Sequence, residues 1–182
     1  MFEEKTISSE DVYTGDVLKF RIDKVELPDG NIADREILEH PGAVGIVGIT
    51  NAGKIVLIKQ YRKAIDLEIL EIPAGKLEKN EHPYDAAIRE FEEEAGYNAS
   101  SVKFLFDAYM LPGCSDAKIY FYIAKDLKLV SPDRDDDEFI EVLEFDISEI
   151  RRMLSLNKFV DAKTIIALTR AIEYEYGSSY NE

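Results

Sequence analysis

The segment GKLEKNEHPYDAAIREFEEEAGY, Gly75 to Tyr97, crowds four carboxylates into five positions: Glu90, Glu92, Glu93 and Glu94. On a helix, like charges three and four apart repel and cost stability. At 3.6 residues per turn, with Glu90 as zero, Glu93 falls about 60° to one side and Glu94 about 40° to the other, while Glu92 points away. Three carboxylates therefore line one edge. Hard divalent cations such as Mg²⁺ take oxygen ligands, commonly a few carboxylates with water and substrate phosphate. A cluster that repels itself when empty is relieved when such an ion arrives. A solvated acidic face is the competing explanation of the charge alone.

The elements around the cluster are the means of holding it. Pro83 suits the first turn of a helix, Asp85 helps its N-terminal amides, and Gly96 ends it. Tyr84, Ile88, Phe91 and Ala95 form an apolar stripe beside the glutamates, the side expected to pack on a sheet. Arg89, four residues before Glu93, is spaced to pair with it. Upstream, DVLKFRIDKVEL, the turn PDGN and IADREILEH form an expected hairpin. The apolar run AVGIVGIT suits a buried strand, NAGK a tight turn, and IVLIKQYR and the short EILEIPA further strands. Strands are expected near VKFLFDAYML, KIYFYIA and EFIEVLEFD, with helices near 147–156 and 161–176. The fold class is α/β (α+β), with the glutamate helix against a sheet.

Length and composition bound the rest. With 182 residues, 46% hydrophobic, the chain is long enough for one well-formed core. No apolar run approaches the ~20 residues of a membrane span. The acidic opening MFEEKTISSEDVYTG lacks an apolar core, so a secretory signal is not expected and the cytoplasm is the expected location. The formal net charge of −15 disfavours sequence-independent nucleic-acid binding, because such a surface repels phosphate backbones. Cys114 is the only cysteine, which excludes an internal disulfide and a Cys-based metal cluster. It is expected to be a small space-filler in the loop after Pro112, with a place at the border of a substrate cleft as the alternative, and His40 and His82 are expected to be structural. Little remains for a Ser/His or Cys/His mechanism.

The quoted segment also matches a signature of nine fixed positions over 23 residues: Gly75, Glu81, Arg89, Glu90, Phe91, Glu93, Glu94, Gly96 and Tyr97. It resembles the Nudix hydrolases, which cleave nucleoside diphosphates linked to another moiety. Phe91 and Tyr97 stand where aliphatic residues are usual, a departure that could tilt the helix slightly. The resemblance implies a Nudix-type mixed-sheet α/β/α sandwich over residues 41–182. An N-terminal antiparallel β-hairpin extension, residues 1–40, would pair two chains into a homodimer. It also implies that Glu90, Glu94 and the Ala74 carbonyl are metal ligands, with Glu93 an added ligand or a catalytic orienting group. Arg89 would fix the glutamates, and Glu81 would be structural or a peripheral metal partner. Mg²⁺ is the implied cofactor, with Mn²⁺ as a substitute.

Outside the signature, the chain looks like the ADP-ribose pyrophosphatase branch. That branch carries a proline 16 residues past the Gly96 position, where Pro112 stands. REILEHPGAVGIV, QYRKAIDLEILEIPAGK and DAKTIIAL share the likeness. By this resemblance Arg62 would grip a substrate phosphate through its bidentate fork. Arg35 would reach the ligand, Glu68 would bind a ribose hydroxyl, and Pro112 would line the site. Tyr13 and Phe20 are aromatic candidates for an adenine platform. In the run DRDDDE, Glu138, or Asp136 one methylene shorter than the usual Glu, would act as general base. The implied reaction is metal-dependent hydrolysis of ADP-ribose to AMP and ribose 5-phosphate. The alternatives are another nucleoside diphosphate sugar such as GDP-mannose, or an ADP-ribose-binding sensor without turnover.

Overall fold

The computed structural model describes residues 2–132 and 139–177 of the chain. It forms two compact units. One comprises the chain up to Gly42 with Ala108–Ile119, and the other Ala43–Asp107 with the chain from Tyr120 onward.

The first unit is built on a three-stranded antiparallel sheet: β1 (Lys5–Thr14), β2 (Lys19–Glu26) and β3 (Ile32–Glu39). The expected hairpin is β2–β3, in register from Lys19↔Glu39 to Glu26↔Ile32 around a turn with Gly30 at φ 86°. The strand β1 was not foreseen. Its residues KTISSEDVYT are all exposed, so no buried face imprints a clean alternation on them. Cys114 is exposed too, which corrects the expectation of a space-filler. Its backbone carbonyl accepts the Leu38 amide, while Ser115 beside it is the buried residue. His40 is structural as expected, its Nδ1 accepting the Gly42 amide at 3.0 Å.

The second unit is an α/β sandwich around a seven-stranded sheet. Its strand order is β10 (Glu141–Phe145), β5 (Ile55–Arg62), β4 (Ala43–Ile49), β9 (Lys118–Leu129), β8 (Tyr97–Tyr109). The short strands β6 (Leu67–Glu71) and β7 (Ala74–Lys76) pair with β5 and β4. Every residue of β4 from Val44 to Ile49 is buried, as a strand covered on both faces requires. The helices are α1 (Pro83–Ala95), α2 (Ile147–Ser155) and α3 (Ala162–Tyr176); α1 and α3 both pack on β4.

The buried face of α1 differs from the expected stripe. Ala86, Ala87, Phe91, Glu94 and Ala95 are buried, whereas Tyr84 is exposed and Ile88 half-buried. Two alanines let the helix approach Val44, Ile46 and Val56 closely, and this rotates Ile88 outward. Phe91 fits because β4 carries Gly48 opposite it: a Cβ there would lie 2.4 Å from the Phe91 ring. Tyr97 stacks on Phe91 with ring centroids 6.1 Å apart. Its hydroxyl donates to Glu144 Oε1 of β10 at 2.6 Å. Both aromatic departures from the signature are thus accommodated by named neighbours.

Candidate active site

The glutamate helix is framed at both ends. His82 is its N-cap, Nδ1 accepting the Tyr84 amide at 3.2 Å, and Pro83 opens the first turn. Gly96 closes it in the left-handed conformation, φ 68°, with its N–H on the Glu92 carbonyl. Against one side lies β7, held by β4 through Ala43↔Lys76, Val44↔Gly75 and Gly45↔Ala74.

Glu90, Glu93 and Glu94 differ sharply in setting although they share an edge. Glu94 is 4% exposed, and its Oε2 accepts the Ala74 amide at 2.8 Å. The Glu90 carboxylate rests on Gly75, where a Cβ would lie 1.8 Å from Glu90 Cδ. Glu93 is the most open of the three. Arg89 sits between them: Nη1 donates to Glu90 Oε1 at 2.9 Å and to Glu93 Oε2 at 3.0 Å. Its Nε and Nη2 donate to Glu81 at 2.9 and 2.8 Å, and Nη2 also reaches the Lys76 carbonyl.

The electrostatics follow from this fork. Hydrogen bonding from Arg89 holds the Glu81 carboxyl below its ordinary 4.5, against the opposing effect of burial. Arg89 is in turn held above its ordinary value, by Glu81 first and then by Glu90 and Glu93. One guanidinium thus offsets the repulsion among three carboxylates. Glu92 points away from them, as expected, and accepts from Asn98. A cleft beside the helix is lined by Asp85, Ile88, Arg89, Glu92, Glu93 and Ser131.

The structure therefore brings together Ala74, Glu81, Arg89, Glu90, Glu93 and Glu94. Among the described residues, no three His, Cys, Asp or Glu side chains converge as a complete metal cage. The donor set is nonetheless all oxygen, carboxylates beside a backbone carbonyl with neither thiolate nor imidazole. That chemistry fits a hard ion that draws its remaining ligands from water and substrate.

The other predicted residues are distributed as follows. Arg62 ends β5 and donates through Nε to Glu71 Oε2 at 2.6 Å. Glu68 is exposed on β6, opposite Tyr61 of β5. Arg35 and Pro112 belong to the first unit; Arg35 is held by Glu4 at 2.5–2.7 Å, and Pro112 is exposed in the loop before Ser115. Asp136 and Glu138 lie outside the described residues.

Sequence reasoning missed Glu71, 2% exposed, to which both Arg62 and Lys163 donate. Its sign was a charged residue in the otherwise apolar run ILEIPA. DAKT, with Asp161 three before Thr164, carries the spacing of a helix N-cap.

This arrangement, an acidic helix edge set against a strand–turn backbone in a mixed sheet, defines a hydrolase of the Nudix class. The NUDIX domain profile matches residues 39–168, and the nucleoside diphosphate sugar hydrolase N-terminal domain profile matches residues 4–38. The chain belongs to the Nudix hydrolase family. It is 44% identical over 170 residues to a methanol dehydrogenase activator of Bacillus methanolicus, covering 92% of each chain. It is 41% identical over 168 residues to an ADP-ribose pyrophosphatase of Bacillus subtilis (strain 168), covering 91% of each. A crystal structure of an ADP compounds hydrolase superposes with a TM-score of 0.86 at 24% identity, covering 97% of this chain and 96% of the other, which supports the fold.

Proposed function

We propose that this chain hydrolyses the pyrophosphate bond of ADP-ribose, releasing AMP and ribose 5-phosphate, with Mg²⁺ as its metal and Mn²⁺ able to replace it. The observation that carries this reading is the setting of Glu90 and Glu94 against Gly75 and Ala74, with Arg89 holding Glu90 and Glu93. The similarity to an ADP-ribose pyrophosphatase over nine-tenths of the chain supports the substrate.

In this reading Glu90, Glu94 and the Ala74 carbonyl are the metal ligands, and Glu93 adds a ligand or orients one. The metal, when bound, neutralises phosphate charge and acidifies a water. Arg89 keeps the carboxylates apart and aligned. Arg62 grips a substrate phosphate, Arg35 reaches the ligand, Glu68 binds a ribose hydroxyl, and Pro112 borders the substrate. Glu138, with Asp136 as the alternative, takes the proton of the attacking water. Binding and positioning supply much of the rate.

Residues 1–40 pair two copies, and 41–182 form the hydrolase domain. In support, β1 ends its sheet and leaves an outer edge for a second strand. No described helix is long and apolar enough to cross a membrane. A small-molecule nucleotide sugar is the proposed partner, nucleic acid is disfavoured by the net charge of −15, and the cytoplasm is the proposed location.

The test is hydrolysis of ADP-ribose, GDP-mannose, NADH and diadenosine polyphosphates, each with Mg²⁺ and with EDTA. AMP and ribose 5-phosphate from ADP-ribose, only with metal, is the expected result. Turnover of GDP-mannose instead would keep the site and move the substrate. ADP-ribose binding without turnover would make the protein a sensor, a role that gives no reason to retain Glu90, Glu93 and Glu94.

A further inference from the structure

The start of α3 is far in sequence from the glutamate helix, yet it grips the backbone that the helix leans on. Asp161 caps α3, its Oδ2 accepting the Thr164 amide at 3.0 Å and the Thr164 hydroxyl at 2.5 Å. That hydroxyl, fully buried, in turn accepts the Ile72 amide at 3.0 Å. The next carbonyl, Pro73, accepts from Ile46, and the next amide, Ala74, donates to Glu94. Thr164 thus both donates and accepts, a pair of duties that serine can share and valine cannot.

A second arm leaves the same turn. Lys163 donates to Asp161 at 2.9 Å and to buried Glu71, whose other oxygen takes Arg62 Nε at 2.6 Å. Burial alone would raise the Asp161 pKa, but Lys163 and Thr164 hold it below its ordinary value. Glu71, Ile72, Pro73 and Ala74 are therefore anchored at four successive residues.

We propose that Thr164 and Lys163 are positioning residues of the active site: Thr164 fixes the Ile72–Ala74 backbone and hence Glu94, and Lys163 fixes Glu71 and hence Arg62. The roles of Glu94 and Arg62 rest on the function proposed above; the anchoring itself does not. The two arms end on different tasks, metal holding and substrate gripping, so they leave different signatures.

The experiment compares the wild type with Thr164→Val, Thr164→Ser and Lys163→Met. Amide hydrogen exchange is followed by NMR on the metal-free protein, and Mn²⁺ binding by calorimetry without substrate. In Thr164→Val, exchange of Ile72 and Ala74 rises about tenfold relative to Val47 in β4, the scale of one lost buried hydrogen bond. Mn²⁺ affinity weakens, and kcat falls more than KM rises. Thr164→Ser restores both. Lys163→Met leaves Mn²⁺ affinity within about twofold and puts the larger share of its loss in KM. If Thr164→Val does not fold, Thr164→Ala, which removes the same hydroxyl without adding a methyl, takes its place in the exchange comparison against Thr164→Ser and Lys163→Met. Unchanged Ile72 and Ala74 exchange in Thr164→Val, or the same kcat and KM changes from both arms, overturns the proposal. Inactivity of the wild type toward every nucleotide sugar would instead overturn the proposed function, since exchange and Mn²⁺ binding need no turnover.

Discussion

The carboxylate of Glu90 occupies the space in which residue 75 would carry a side chain: a Cβ on Gly75 would lie 1.8 Å from Glu90 Cδ and 1.9 Å from its Oε2. The glycine is required here for room, because its backbone is in an ordinary extended strand. Gly75→Ala should push the Glu90 carboxylate off β7. The displaced group is the far end of a flexible side chain, so the fold should tolerate the change. We expect kcat/KM for ADP-ribose to fall about 10²-fold, the cost of a misplacement on the order of 1 Å, with little change in Tm. Steady-state kinetics and thermal melting read both quantities.

Glu94 tests the metal role. Its burial at 4% and its bond to the Ala74 amide give it a structural part besides the proposed ligand role. Glu94→Gln keeps a carbonyl oxygen for that amide and removes the charge. Turnover should fall by at least about 10³-fold, the several kcal/mol that a metal's charge supplies. Circular dichroism and Tm should stay close to wild type. A wild-type rate would refute the assignment of Glu94 as a ligand.

Gly48 and Phe91 should be coupled. A Cβ at position 48 would lie 2.4 and 2.8 Å from atoms of a ring that is 1% exposed and cannot swing aside. Gly48→Ala should destabilise the protein by about 1–3 kcal/mol through overpacking. Phe91→Leu in the same chain should relieve part of that loss. Urea unfolding of the two single variants and the double variant closes the cycle, with a coupling above about 0.5 kcal/mol expected for residues in contact.

Tyr97 predicts an alkaline limb in the stability profile. Burial, reinforced by the Glu144 carboxylate, pushes its phenol from 10.0 up to about 12. The folded state thus favours the neutral phenol. Above pH 10 the unfolded chain ionises this group while the folded chain does not, so stability that is full below pH 10 is lost as pH rises toward 12. Tyr97→Phe should flatten that part of the curve. Chemical denaturation at several pH values from 8 to 12 measures the difference in slope.

Much of the site was legible in the residues alone, because its makers act within a few positions of themselves. Pro83 and Gly96 delimit α1 through local backbone rules, and a 3.6-residue period puts Glu90, Glu93 and Glu94 on one edge. Arg89 meets Glu93 because they are four apart. The β2–β3 and β4–β5 pairs follow from turn residues between apolar runs. What was not legible depends on partners that no local pattern encodes. The strand β1 buries nothing and so leaves no alternation to read. The rotation of α1 is set by how closely Ala86 and Ala87 meet β4, which exposes Tyr84 and buries Glu94. Glu71 and Lys163 are 92 positions apart and become partners only when β6 and the start of α3 come together. Sequence by itself determined which groups could do the chemistry and along which helix edge they stand. Tertiary packing alone decided how deeply each carboxylate is buried and what holds it, because burial and long-range hydrogen bonds exist only between elements already assembled.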